Sequence, residues 1–79
     1  MNNKQKYDQV FIESFSISES ALGDDLEYNS IPEWDSVGHM NLISVLEENF
    51  DIMLEMDDII DFSSYKNGFE LIAKYGVEF

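Results

Sequence analysis

Ser36 stands directly after Asp35 and directly before a periodic apolar run that ends at Phe50. That order places a hydroxyl in the first turn of an amphipathic helix, exposed and within reach of another protein. A serine oxygen is a poor nucleophile unless a base and oxyanion donors accompany it. His39 lies three positions on and shares a helical side with Ser36, yet no third group or oxyanion site follows from the pattern, and a surface histidine is expected. The carboxylates of Asp24, Asp25, Asp57, Asp58 and Asp61 suggest loose attraction of cations. No segment has the calcium-loop pattern with its central glycine and terminal glutamate. One histidine and no cysteine argue against a zinc or iron centre. Ser36 therefore reads as a place where something is attached, on a chain that is not an enzyme.

The elements that must position this hydroxyl follow from apolar spacing. Residues 4–15 read as a first helix, with Tyr7, Val10, Phe11 and Phe15 on one face. A helical turn before Gly23 is expected within Ser16–Gly23. A long ordered loop then runs to Trp34, pinned by Leu22, Leu26, Ile31 and Trp34, which exceeds the usual connection length. The second helix spans Ser36–Phe50: Asp35 is its N-cap, its carboxylate facing early amides and the positive end of the helix. Leu42, Leu46 and Phe50 form its buried stripe, flanked by Ile43 and Val45, with Glu47 and Glu48 away from it or on its rim.

Asp51–Leu54 reads as an extended segment, Asp57–Asp61 as a short helix, and Ser63 or Ser64 as the cap of a last helix bearing Tyr65, Phe69 and Ile72. Gly68 weakens that helix by about 1 kcal/mol relative to alanine, and Gly76 reads as its stop. The expected fold is all-α: one domain over residues 1–79, three principal helices and a short one around one core.

Six Phe, four Tyr and one Trp supply large surfaces for burial. Seventeen acidic residues face four lysines, for a formal net charge of −13. Such a surface repels nucleic acid and anionic membranes and attracts basic partner proteins, although it also serves plain solubility. No run approaches the roughly 20 apolar residues of a membrane span, and no leader is recognised. Absence of cysteine removes disulfides and thiol chemistry. A cytoplasmic monomer that neither inserts in a membrane nor binds nucleic acid is expected.

With these residues in view, the chain resembles the acyl carrier protein family. The likeness rests on Trp34-Asp35-Ser36-Val37-Gly38-His39-Met40-Asn41-Leu42, continuing through Leu46-Glu47-Glu48-Asn49-Phe50, and extends through the short acidic helix to the last one. In that family an Asp-Ser-Leu motif opens the second helix, and its serine receives 4'-phosphopantetheine from coenzyme A. Val37 stands here in place of the leucine. Gly38, His39 and Asn41 make this helix less acidic than in fatty-acid carriers, and Trp34 with the Gly38-His39 segment is similar to stand-alone carriers of specialised pathways.

The resemblance implies a phosphopantetheine arm on Ser36, with Asp35 and Val37 as supporting motif. It implies acyl cargo held as a thioester for fatty-acid, polyketide or related biosynthesis. Its partners would be a phosphopantetheinyl transferase and acyl-activating, acyl-transferring or condensing enzymes with basic docking surfaces. Met40, Glu47 and Glu48 are the implied docking contacts. Leu46, Ile59, Ile60, Phe62 and Ile72 are the implied lining of an acyl pocket, although each is also needed for a core. An aminoacyl or peptidyl carrier, or an acidic interaction module that carries nothing, are the alternatives.

Overall fold

Apolar residues recurring by threes and fours are realised as four α-helices in a computed structural model that describes residues 2–79. They are α1 (Asn3–Phe15), α2 (Ser36–Phe50), α3 (Met56–Asp61) and α4 (Tyr65–Ala73), with one 3₁₀ turn at Glu19–Ala21. Among the described residues there is no strand, only an isolated antiparallel bridge between Glu27 and Ser64. No described helix is long and apolar enough to cross a membrane.

The ends of the helices are set by local chemistry. Asn2 and Gln5 form a reciprocal capping box at the start of α1, and Ser64 and Asn67 form another at α4, each satisfying amides that would otherwise lack partners. Asp35 caps α2. Both α1 and α2 stop at a polar residue in the left-handed region, Ser16 and Asp51. The first turn of α3 carries Asp57 and Asp58, which complements the positive end of its dipole.

One cluster forms the core. Tyr7, Val10, Phe11 and Phe15 of α1 meet Leu42, Ile43 and Leu46 of α2, with Trp34, Phe62 and Ile72 among the fully buried side chains. Phe11 lies 5.6 Å and Phe15 5.2 Å from Trp34 between ring centroids, while Tyr7 and Phe69 are 4.2 Å apart. The two Trp34 separations suit aromatic pairing, and the Tyr7–Phe69 contact is closer still. The Tyr7 hydroxyl donates to the Tyr65 carbonyl at 2.7 Å, so its polar tip is satisfied inside the core. Burial pushes the Tyr7 phenol far above its ordinary range.

Gly68 does not merely weaken α4. It is buried, and a Cβ there would overlap the Tyr7 hydroxyl and the edge of the Phe62 ring. Glycine lets α4 approach α1 and Phe62 this closely. Asp58, which reads as part of a loose acidic cluster in the sequence, is buried. It accepts from Lys74 Nζ at 2.6 Å and from the Tyr75 hydroxyl, tying α3 to the end of α4. These bonds hold its carboxyl below the usual carboxylate value, the Lys74 bond acting most strongly.

The stretch between Leu22 and Asp35 is long but anchored. Leu26 and Trp34 are buried, Leu22 and Ile31 half-buried. Its backbone bonds reach the far side of the chain: Tyr28 N–H donates to the Ser63 carbonyl at 2.8 Å, and Tyr65 N–H donates to the Leu26 carbonyl at 2.9 Å. The loop is thereby pinned at the start of α4 and lies over the entrance of α2.

Candidate functional site

The start of α2 is built around Asp35. Its carboxylate accepts the Gly38 N–H at 2.8 Å and its carbonyl accepts the His39 N–H at 2.8 Å, which sets the helix direction from the first turn. Gly38 is required by a neighbour, because a Cβ at this position would overlap the Glu33 carbonyl oxygen. The loop strand thus passes hard against the first turn of α2. Ser36 occupies the first helical position and is exposed. Its Oγ lies 2.9 Å from the Tyr28 hydroxyl, where either group can donate.

Ser36 opens onto an apolar groove of about 370 Å³ between α2 and α3. Met40 lines it from α2, Met56, Ile59 and Ile60 from α3, and Phe62 from the segment that follows. Tyr28, His39 and Ser63 complete the wall. Around this opening Val37 is 80% exposed, Met40 53%, Met56 70% and Ile60 69%, a concentration of bare apolar surface beside one hydroxyl. None of the four lysines lines the groove.

His39 corrects the expectation of a plain surface histidine. It is half-buried, its ring stacked 6.2 Å from Trp34 and met edge-on by Tyr28 at 5.7 Å. The Trp34 indole N–H donates to His39 Nδ1 at 3.0 Å. An indole nitrogen only donates, so Nδ1 carries no proton. The proton of the neutral ring sits on Nε2, which donates to the Ile59 carbonyl at 2.8 Å. Both nitrogens are occupied, and His39 is a pin joining the loop, α2 and α3. It has no lone pair free for the Ser36 proton. The serine hydroxyl is thus exposed, with the Tyr28 hydroxyl rather than the imidazole as its neighbour.

The other residues singled out in the sequence divide. Ile59, Ile60 and Phe62 line the groove, whereas Leu46 and Ile72 are fully buried in the core and do not. Of the docking residues, Met40 and Glu48 are exposed. Glu47 is half-buried, and its Oε2 accepts the Leu54 N–H at 2.8 Å, so it closes the connection between α2 and α3. Asp58, spent on Lys74 and Tyr75, leaves the acidic cluster, and among the described residues no group of histidines and carboxylates is arranged to hold a metal ion.

Tyr28 and Met56 were not singled out by sequence reasoning. Tyr28 lies in an irregular loop, where no periodicity indicates direction, and its contact with Ser36 depends on backbone bonds to residues 63–65. Met56 precedes the acidic pair that draws attention to α3, and only its proximity to Met40 across the groove gives it meaning. Compared with protein-family models, curated proteins and solved structures, the chain finds no match.

Proposed function

We propose that the chain is a carrier that receives 4'-phosphopantetheine on Ser36 and presents acyl intermediates to biosynthetic enzymes. The observation that supports this best is an exposed, unactivated serine hydroxyl at the entrance of α2, opening onto an apolar groove. The residues fit the group: the hydroxyl is accessible, and the groove beside it is lined almost wholly by carbon. Once attached, the arm supplies a thiol that holds acyl groups as thioesters, chemistry the cysteine-free chain lacks.

Attachment would proceed by attack of Ser36 Oγ on the proximal phosphorus of coenzyme A, within a dedicated transferase. The new oxygen–phosphorus bond replaces the pyrophosphate bond, adenosine bisphosphate leaves, and the serine proton passes to a base of the transferase or to water. Asp35 holds the first turn of α2 so that the hydroxyl points outward. Val37 and Met40 offer apolar contact to that enzyme, and Glu48 offers charge to a basic surface. Such a face steers basic partners in and lets rim charges set the encounter rate. Groove residues Met40, Met56, Ile59 and Ile60 give an apolar cargo a place beside its attachment point. Cytoplasmic residence, a monomeric state and acyl-activating, acyl-transferring or condensing partners belong to the same proposal.

Intact mass after incubation with coenzyme A and a broad-specificity transferase tests it. The chain should gain the mass of one phosphopantetheinyl group, and Ser36→Ala should gain none while keeping its helical circular dichroism. No gain by the unaltered chain would overturn the reading in favour of an acidic interaction module.

A further inference from the structure

Tyr28 has no part in the core, yet the fold goes to some length to place it. Its N–H is fixed to the Ser63 carbonyl at 2.8 Å. The Glu27 N–H donates to Ser30 Oγ at 2.9 Å, and the Asn29 N–H donates to the Trp34 carbonyl at 2.9 Å, with Asn29 held at a φ of 68°. The ring packs edge-on against His39, which is itself pinned at both nitrogens. A loop anchored at the start of α4 thus carries one phenol across to the first residue of α2. Its hydroxyl stays at the surface and meets one side-chain partner, Ser36 Oγ at 2.9 Å.

We infer that Tyr28 is a positioning residue for Ser36: its phenol orients the free hydroxyl, then donates to the phosphodiester that replaces it. The inference rests on the attachment reading above. In the free chain either hydroxyl can be the donor. After modification Ser36 Oγ has lost its hydrogen and is a bridging ester oxygen, so only the phenol can donate. The non-bridging phosphoryl oxygens lie two bonds beyond the atom that Tyr28 already contacts. They are stronger acceptors because they carry the charge. That charge arises directly after Asp35 in the chain, and no lysine lines the groove. A neutral phenol is therefore the side-chain donor placed to compensate it, and it biases the arm toward the groove wall of Met40 and Ile60.

Tyr28→Phe separates this role from packing, since it keeps the ring on His39 and removes only the oxygen. Transferase kinetics on the unaltered chain, Tyr28→Phe and Ser36→Ala are read by intact mass. The phosphorus NMR signal and linewidth of the two loaded proteins are then compared. Tyr28→Phe should melt with the unaltered chain and load to completion. Its kcat should fall by roughly three- to tenfold, the size of one neutral hydrogen bond, with little change in KM because the docking face is intact. Its phosphorus resonance should shift and sharpen as the diester gains freedom. Equal kcat and superimposable phosphorus spectra would overturn the role of Tyr28 while leaving attachment at Ser36 intact. Failure of the unaltered chain to gain mass would overturn both.

Discussion

A single imidazole decides what the neighbouring serine can do. His39 accepts from the Trp34 indole and donates to the Ile59 carbonyl, and a histidine so occupied can hold three segments together but cannot also take a serine proton. Nitrogen NMR at neutral pH should therefore show the Nε2–H tautomer, and a dominant Nδ1–H form would refute the arrangement. His39→Phe keeps an aromatic ring but strands the indole N–H of fully buried Trp34. It should cost roughly 1–3 kcal/mol, the usual penalty for an unsatisfied buried donor. Urea unfolding measures that cost, and a loss below about 0.5 kcal/mol would mean that the bond carries nothing. In sequence His39 looked like a solvated residue because a lone histidine on a helix has no partner signature. Its partners lie five residues before it and 20 residues after it, separations that helical periodicity does not encode. Asp58 was misread for the same reason, since Lys74 is 16 positions away.

At the level of elements, legibility follows the kind of force involved. Helix α2 was legible from end to end because Leu42, Leu46 and Phe50 repeat every four residues and Asp35 has the chemistry of a cap; the structure gives Ser36–Phe50. The loop before it was legible in what it buries, Leu26 and Trp34, but not in what its backbone bonds. Apolar spacing reports on burial, whereas the pairing of Tyr28 with Ser63 is written in no side chain. Gly68 shows where propensity misleads. Taken alone, Gly68→Ala in a helix should stabilise by about 1 kcal/mol. In the fold the new methyl would strike the Tyr7 hydroxyl and Phe62, both held in the core. Overpacking of this kind typically costs about 1–3 kcal/mol, and displacing Tyr7 also breaks its bond to the Tyr65 carbonyl. The overpacking term wins, so Gly68→Ala should lower the urea midpoint. A raised midpoint would show that α4 can retreat from α1 without loss.

For the whole molecule the governing quantity is a net charge of −13 on a chain of 79 residues. Such a chain repels itself in the compact state, and three of its four lysines are already engaged. Lys4 pairs with Asp8, Lys74 with Asp58, and Lys6 lies 5.6 Å from the Phe50 ring centroid. Ion pairs whose lysine stays in solvent are each worth little, but the Asp58 cluster also ties the two C-terminal helices together. The folded-state pKa of Asp58 is lowered from 3.8, so its ionised form is favoured by folding. That contribution is present in full above 3.8 and is lost as pH falls through this value toward the lower folded one. Protonation of the remaining carboxylates relieves repulsion over an overlapping range, which would mask the loss in a single titration. Subtracting the stability of Asp58→Asn from that of the unaltered chain at each pH cancels the shared repulsive part. The difference should be flat and positive near neutrality, then shrink below about pH 4, because the neutral variant has no charge to lose. A difference independent of pH down to acid unfolding would show that Asp58 acts through its hydrogen-bond geometry alone, with no contribution from its charge.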